Sequence, residues 1–264
     1  MDLKLTGKTA LITGSTAGIG FAIAKQLVAE GANVVVNGRT QERVEAAILE
    51  LKKDNPAANV TGVAADFSKA DEVTALTQQV PEVDILINNV GIFAPTPFTE
   101  ITDEDWFRFY EVNVLSGVRL SRFYFPKMLQ ADWGRIIFIS SESAVQIPEE
   151  MIHYGMTKTA QLAISRGLAE LTKGTNVTVN TVLPGPTKSE GVGDFVASLA
   201  KAQNITPEQA EIDFFKNARP TSIIQRFATV EEIANMVTYV ASPLSSATNG
   251  AALRVDGGVI KTAV

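Results

Sequence analysis

The sequence has no cysteine. That excludes disulfides, thiolate metal sites and cysteine nucleophiles, and it suits a reducing compartment. Its one histidine, His153, is too few for a histidine-rich centre, and no metal is expected. No stretch approaches the roughly 18 apolar residues of a membrane-spanning helix. The opening Met1-Asp2-Leu3-Lys4-Leu5 lacks an apolar signal core. Positive charge is not in surplus: 23 Lys and Arg face 29 Asp and Glu, a net charge of −6. A mildly acidic surface argues against a nucleic-acid or anionic-membrane partner. Internal repeats, low-complexity tracts and long polar linkers are missing as well. These absences point to a soluble globular protein, expected in the cytoplasm.

What is present fits one large α/β domain. The chain has 264 residues, of which 45% are hydrophobic and 20% charged, enough to bury a substantial core. Short Val- and Ile-rich runs alternate with longer amphipathic stretches. Strands are expected at Thr9–Ile12, Asn33–Asn37, Val60–Ala65, Asp84–Ile87, Arg135–Ser140, Val177–Leu183 and Ala252–Val255. They lack clean polar alternation, as strands covered on both faces do. Helices are expected at Gly18–Glu30, Gln41–Asn55, Lys69–Gln79, Asp103–Gln130, Tyr154–Thr172 and Thr229–Ala241, with Pro126 ending or kinking the fourth. The alternation predicts a doubly wound Rossmann-type fold over residues 1–264, with a mostly parallel seven-stranded sheet and helices on both faces. Residues 185–225 break the pattern. Pro186, Gly191 and Gly193 precede a helical stretch near Pro207–Asn217, which reads as a substrate-binding lid after the sixth strand.

The first strand runs into Thr13-Gly14-Ser15-Thr16-Ala17-Gly18-Ile19-Gly20 and then a helix. Gly14 permits a tight turn, Gly18 lets backbone approach a pyrophosphate, and Gly20 lets helix and strand pack closely. The helix N-terminus offers free N–H groups and the positive dipole end to an anion. A glycine-rich turn elsewhere would be a loop and nothing more; between strand one and helix one it marks a dinucleotide site. The second strand ends Asn37-Gly38-Arg39. An NAD-selective site presents an acid here to hold the ribose hydroxyls. Gly38 carries no charge, and the planar fork of Arg39 suits a 2′-phosphate. NADP(H) is therefore favoured, with NAD(H) as the alternative.

With these features the chain resembles the single-domain branch of the short-chain dehydrogenase/reductase family. The resemblance runs end to end. It rests on Thr13–Gly20, Asp66, Asn88-Asn89-Val90-Gly91, Asn113, Ser141, Tyr154-x-x-x-Lys158, Pro184-Gly185 and Asp256-Gly257-Gly258. It implies cofactor contacts from Ser15, Thr16 and Ile19 of the loop, from Asp66 and the Phe67 backbone to adenine, and from Asn88, which would also brace the sheet, Val90 and Gly91 beside the ribose. It also implies contacts from Pro184, Gly185 and Thr187 to the nicotinamide and from Ser189 to a phosphate. The chain departs from the family at Val90, where alanine is usual, and at Ser189, where threonine is. Asn249 replaces a usual threonine, and Thr229-Val230-Glu231-Glu232 lacks a common proline.

The same resemblance implies the chemistry of a carbonyl or secondary alcohol substrate. Tyr154 and Lys158 stand four apart, on one helix face. A free tyrosine has a pKa near about 10, and a neighbouring ammonium is expected to lower it so that Tyr154 exchanges a proton with substrate. Ser141, thirteen residues before Tyr154, is expected to hold the substrate oxygen, with Ser140 as the competing candidate. By resemblance the Asn113 carbonyl holds a water that joins Lys158 to solvent. Phe93, Ser143, Gln146, Ile147 and Pro186 are candidates for the substrate pocket. Phe195, Leu199, Phe214 and Phe215 suggest an apolar lid, while Lys188, Lys201, Lys216 and Arg219 either meet an acidic group of the substrate or, the preferred reading, are solvated charge. His153 either touches substrate or simply starts a helix. The four-residue Tyr–Lys spacing disfavours the related enoyl reductases, and the absence of a larger C-terminal domain disfavours extended epimerases. A non-catalytic dinucleotide sensor is the reading from another class. The family is often tetrameric, and the apolar stretch Phe107–Phe125 exceeds one core-facing stripe, so a homotetramer or homodimer is expected.

Overall fold

The computed structural model describes residues 2–53 and 55–263, apart from the side chains of Glu190, Asp194, Phe195, Leu199, Ala202 and Gln203. The expected apolar lid contacts of Phe195 and Leu199 thus lie outside the described residues. The strands are β1 (Thr9–Ile12), β2 (Asn33–Gly38), β3 (Val60–Ala64), β4 (Ile85–Asn88), β5 (Gly134–Ile139), β6 (Val177–Pro184) and β7 (Ala252–Val255). They form one sheet in the order β3-β2-β1-β4-β5-β6-β7, and every pairing is parallel. The expected strands are therefore all present, within about one residue at each end.

The helices are α1 (Gly18–Ala29), α2 (Gln41–Lys53), α3 (Ala70–Gln79), α4 (Asp103–Tyr110), α5 (Ser116–Gln130), α6 (Ile152–Glu170), α7 (Glu190–Gln203), α8 (Pro207–Asn217) and α9 (Val230–Ala241). Two apolar layers explain the continuous Val/Ile strands. Ile23 and Leu27 of α1 and Ile233 and Val237 of α9 cover one sheet face. Leu76 of α3 and Leu120 and Tyr124 of α5 cover the other. Each fully buried Leu or Ile contributes about 1.5–3 kcal/mol.

Strand order reverses between β1 and its neighbours β2 and β4. Loops leaving β1 and β4 diverge there, and the crevice between them is where open α/β sheets bind ligands. Gly20 holds this point together. A Cβ on it would lie 2.4 Å from the Gly14 carbonyl oxygen and 2.6 Å from Asn89 Nδ2. Backbone cannot yield that distance, so Gly20→Ala is expected to lose about 1–3 kcal/mol of stability. Chemical denaturation of both proteins measures it.

The expected fourth helix, Asp103–Gln130, is not continuous. α4 and α5 are joined by a π-helical turn over Glu111–Leu115. Pro126 neither ends nor visibly breaks α5, which runs on to Gln130. Pro126 and Arg122 are both exposed, so the carbonyl deprived of its partner faces water. Residues 185–225 form two helices, α7 and α8, where one was expected. Ala200, Ala210 and Phe215 from this segment make a small core with Phe227 just beyond it.

Candidate active site

A cleft of about 570 Å³ opens at the carboxyl ends of the strands. Ile19, Asn89, Gly91, Pro184, Gly185, Thr187 and Ser189 line one part; Phe93, Ser141, Ser143, Tyr154, Lys158, Pro186 and Phe214 line another.

The glycine-rich loop is built for an anion. Gly14 and Gly18 have φ of +61° and +58°, a region that favours glycine. Ser15 is turned inward: its hydroxyl donates to the Ile12 carbonyl at 2.7 Å and accepts from Asn37 N at 2.9 Å. The N-terminus of α1 has no side-chain cap and no acidic residue in its first turn. Its N–H groups and dipole therefore suit a phosphate. Ser189 Cβ lies 3.5 Å from the place a Gly18 Cβ would occupy, so a side chain there would crowd the phosphate approach. Thr187 is buried, and its hydroxyl donates to the Gly185 carbonyl at 2.8 Å. A Cβ on Gly185 would strike the Asp256 backbone at 2.6 Å, which accounts for glycine beside the Asp256 turn.

Asn88, expected both to brace the sheet and to flank the ribose, ties β4 to α5, while Asn89 lines the cleft. Asn88 is buried, and its amide donates to Ser121 on α5 at 3.4 Å, so it does not line the cleft. Successive strand residues point to opposite faces. Asn89 takes the cleft side and donates to the Thr13 and Gly14 carbonyls at 2.9 and 3.0 Å. Val90 Cγ2 stands 3.0 Å from the place a Gly14 Cβ would occupy, so the wall here is indeed tight. Asp66 accepts from the Ser68 amide at 2.9 Å, and that bond, chiefly, holds its carboxyl below the usual carboxylate range. The nearby charges of Lys69 and Arg39 act in the same direction. Phe67 is buried beside it.

Gly38 carries more information than its missing charge. A Cβ there would meet Thr16 Cγ2 at 2.5 Å. Thr16 of the phosphate loop would thus have to shift for any side chain to enter at position 38. Arg39 is exposed just past the carboxyl end of β2, and a hollow beside the loop is lined by Thr16, Gly18 and Arg43. Arg43 was not a candidate from sequence; its place on the first turn of α2 faces the loop only in the folded chain.

Tyr154 lies two residues inside α6, and its ring meets Phe93 edge-on at 6.2 Å. Lys158 Nζ lies 5.6 Å from the Tyr154 ring centre and donates to the Ile139 carbonyl at 2.9 Å. Burial lowers the Lys158 pKa to about 8. Gly91 makes room for this ammonium: a Cβ would sit 3.2 Å from Nζ. Burial, and secondly the charge of Glu142, push the Tyr154 phenol above its ordinary value. Ser141 and Arg219 pull it the other way. This differs from the expectation of a lowered phenol: desolvation outweighs the Ser141 hydrogen bond and the Arg219 charge.

Ser140 and Ser141 are distinguished by their bonds. The Ser140 hydroxyl donates to the Lys158 carbonyl at 2.9 Å and anchors α6. The Ser141 hydroxyl donates to Glu142 Oε2 at 2.5 Å and accepts from the Ser143 amide at 3.1 Å. Asn113 sits in the π turn. Its side chain accepts from Ile92 N at 2.7 Å and donates to the Ile92 carbonyl and to Thr157. A π turn frees backbone carbonyls from the helical ladder. The Asn113 carbonyl accepts from Gln161 Nε2 at 2.5 Å, and Gln161 Oε1 accepts from Lys158 Nζ at 3.5 Å. Gln161, buried and not foreseen, joins Lys158 to Asn113 directly.

Of the five pocket candidates, Phe93, Ser143 and Pro186 line the cleft, and Gln146 and Ile147 do not. A short turn at Glu142–Ala144 carries Gln146 and Ile147 outward, and both are exposed. Ile147 packs over Gly155, where a Cβ would meet it at 2.8 Å. Phe215 is in the small core of residues 185–225, leaving Phe214 at the cleft. Arg219 is not solvated: it is buried and paired with Glu142 and Glu150. His153 is buried against Phe109 at 4.0 Å and Trp106 at 5.9 Å, outside the cleft. Burial lowers its pKa, with Asp105 opposing. Among the described residues no cluster of His, Asp or Glu could hold a metal, and no helix is long and apolar enough to cross a membrane.

A parallel sheet with a glycine-rich first turn and a cleft holding Ser, Tyr and Lys defines a nicotinamide-dependent oxidoreductase. Residues 8–199 match the short chain dehydrogenase family, and the chain belongs to it. It is 54% identical over 262 residues, 99% of each chain, to the uncharacterized oxidoreductase YvaG of Bacillus subtilis. It is 32% identical to the D-beta-hydroxybutyrate dehydrogenase of Cupriavidus necator, covering 96% of this chain and 98% of that one. L-sorbose reductase from Gluconobacter frateurii, solved with NADPH and L-sorbose, superposes with a TM-score of 0.94 at 33% identity. The match covers 99% of this chain and 100% of that one.

Proposed function

We propose that the chain is an NADP(H)-dependent carbonyl reductase and alcohol dehydrogenase, with Tyr154 as general acid and base. The observation that carries this reading is one cleft lined by Tyr154, Ser141 and Lys158, with Asn113 joined to Lys158 through Gln161. The nicotinamide, when bound, supplies a hydride to the carbonyl carbon or takes one from the alcohol carbon. Ser141 holds the reacting oxygen and stabilises charge developing on it. Tyr154 delivers the proton to that oxygen in reduction and removes it in oxidation. Lys158 restores the phenol's proton balance and is itself oriented by Ile139 and Gln161. The uncapped α1 N-terminus and Thr16 hold the phosphates, while Arg39 and Arg43 hold a 2′-phosphate. The NADPH complex of the L-sorbose reductase supports this choice. NAD(H) with the same chemistry is the second reading, favoured if Arg39 stays in solvent.

The test is an NADPH-oxidation screen over ketones, aldehydes, sugars and keto acids, with NADH as control. Cofactor binding without turnover on any carbonyl would instead support a dinucleotide sensor. The shifts also set the pH dependence. Lys158, lowered to about 8, is charged below that pH and loses its proton above it. Reduction is therefore expected to hold to about pH 8 and fall beyond it. Tyr154, raised, keeps its proton to high pH with Glu142, Arg219 and Lys158 around it. Alcohol oxidation needs that proton gone, so it is expected to keep rising with pH. Rate profiles in both directions measure this, and a reduction rate rising through pH 8–10 would oppose it.

Residues 185–225 act as the lid over substrate in this reading, with Phe214 and Arg219 facing the cleft. Phe107 and Tyr110 on α4 are 75% and 40% exposed in the single chain. They support a homotetramer or homodimer, which light scattering at micromolar concentration tests. A cytoplasmic location fits the absence of cysteine.

A further inference from the structure

Glu142 directly follows Ser141 and is 5% exposed. An acid is rarely buried to that degree unless paired. Here both carboxylate oxygens are engaged: Oε2 accepts from the Ser141 hydroxyl at 2.5 Å and Oε1 from Arg219 Nε at 3.2 Å. Arg219 reaches this point from the segment beyond α8. Its Nη1 donates to Glu150 Oε1 at 3.2 Å and to the Ala218 carbonyl at 2.8 Å. Glu142, Glu150, Arg219 and Asp213 all line the cleft with Tyr154. Three carboxylates therefore stand against one guanidinium on this wall. Among the described residues lining the cleft, the other cation is Lys158.

Two physical consequences bear on substrate. Ser141 has one hydroxyl proton, so it cannot donate to Glu142 and to a substrate oxygen at once. When Ser141 turns to the substrate, Glu142 Oε2 loses its donor, and a buried carboxylate oxygen short of a partner is unfavourable. A substrate hydroxyl on the carbon next to the carbonyl restores that bond at the same place. A substrate carboxylate there would meet Glu142 head on and would find Arg219 already held by two acids.

We propose that Glu142, held by Arg219, reads a hydroxyl beside the reacting carbon, so that the cleft takes uncharged hydroxyketones and their vicinal diols and discriminates against keto acids. This rests on the cleft being the carbonyl-reducing site. The apolar wall of Phe93, Met151 and Phe214 then accommodates the rest of an uncharged molecule.

The experiment compares kcat/KM for 1-hydroxy-2-butanone, 2-butanone and 2-oxobutanoate at saturating NADPH. The hydroxyketone is expected to exceed 2-butanone by about tenfold or more, since one charge-assisted hydrogen bond is at stake, and the keto acid to rank last. Glu142→Ala is expected to bring the hydroxyketone to 2-butanone ratio within about threefold of unity, with each variant's own 2-butanone value as reference. Glu142→Gln keeps an accepting oxygen without the charge. It is expected to retain part of the hydroxyl preference and to lose the discrimination against 2-oxobutanoate, and it serves if the alanine variant does not fold. Calorimetry on NADP-loaded Tyr154→Phe, which needs no turnover, is expected to show 1,2-butanediol binding more tightly than 2-butanol. Turnover of 2-butanone with no preference for the hydroxyketone, or with 2-oxobutanoate preferred, overturns this inference alone. No turnover of any carbonyl with either nicotinamide overturns the carbonyl-reducing reading and this inference with it.

Discussion

Tyr154→Phe is expected to lower kcat by about 10²–10⁴-fold while leaving NADPH affinity within about twofold, because the change removes a proton donor and little else. The ring stays, and with it the edge contact to Phe93 at 6.2 Å. The phosphate loop, Asn89 and Arg39 are untouched, so cofactor binding has no reason to change. The direction of the phenol's pKa sharpens the expectation. A group pushed above its ordinary value by burial and by Glu142 keeps its proton through the neutral range. It therefore reaches a carbonyl still carrying its proton, while among the described residues around it the Ser141 hydroxyl is committed to Glu142 and the Lys158 ammonium donates to the Ile139 carbonyl. The measurements are single-turnover NADPH oxidation and a fluorescence titration of NADPH on the same variant. Near-normal kcat would mean that the proton comes from elsewhere and would overturn the assignment of Tyr154. Loss of NADPH binding together with kcat would instead mean that the ring helps to build the cofactor site.

The residues that were legible in the sequence are those whose role is local. Gly14 and Gly18 stand out because a positive φ in a strand-to-helix turn admits few other residues. Tyr154 and Lys158 stand out because four-residue spacing puts them on one helix face whatever the rest of the chain does. The seven strands were legible because each is a short Val/Ile run needing cover on both faces. What stayed hidden depends on tertiary pairing. Glu142 and Arg219 are 77 positions apart, and each alone reads as surface charge. Gln161 looks like a solvent-facing helix position until its partner Asn113, 48 residues earlier, is brought to it. The π turn was hidden for a different reason. One extra residue in a turn rotates the apolar face without interrupting it, so Asp103–Gln130 still reads as a single helix. Asn89 was not singled out beside Asn88 because both are amides at a strand end, and register alone decides which faces the cleft.

The coupling between Thr16 and Gly38 belongs with these hidden pairings, and it changes how cofactor preference is to be altered. On sequence grounds, Gly38→Asp with Arg39→Leu places an acid against the ribose hydroxyls and removes the fork that holds a 2′-phosphate. In the folded chain that pair of changes is expected to fail. The new Cβ would lie 2.5 Å from Thr16 Cγ2, with Val44 Cγ2 at 3.4 Å behind it, so the side chain cannot enter unless the Thr16 side chain leaves the place it holds beside the phosphates. The double variant is thus expected to lose affinity for both cofactors. Adding Thr16→Ala removes the obstructing methyl and opens the position. The triple variant then gains carboxylate bonds to ribose, sets like charge against a 2′-phosphate and lacks the Arg39 fork. Two charge-assisted terms of about 1.5–3 kcal/mol each correspond to a fall of about 10²–10⁴-fold in the NADP/NAD ratio of kcat/KM. Arg43, left in place, holds the change toward the lower end. Dissociation constants for NADP and NAD, taken alongside the kinetic ratios, separate binding from turnover. A double variant that switches as well as the triple would show that Thr16 restricts nothing. A triple variant that still prefers NADP would show that Arg39 is not the residue that holds the phosphate.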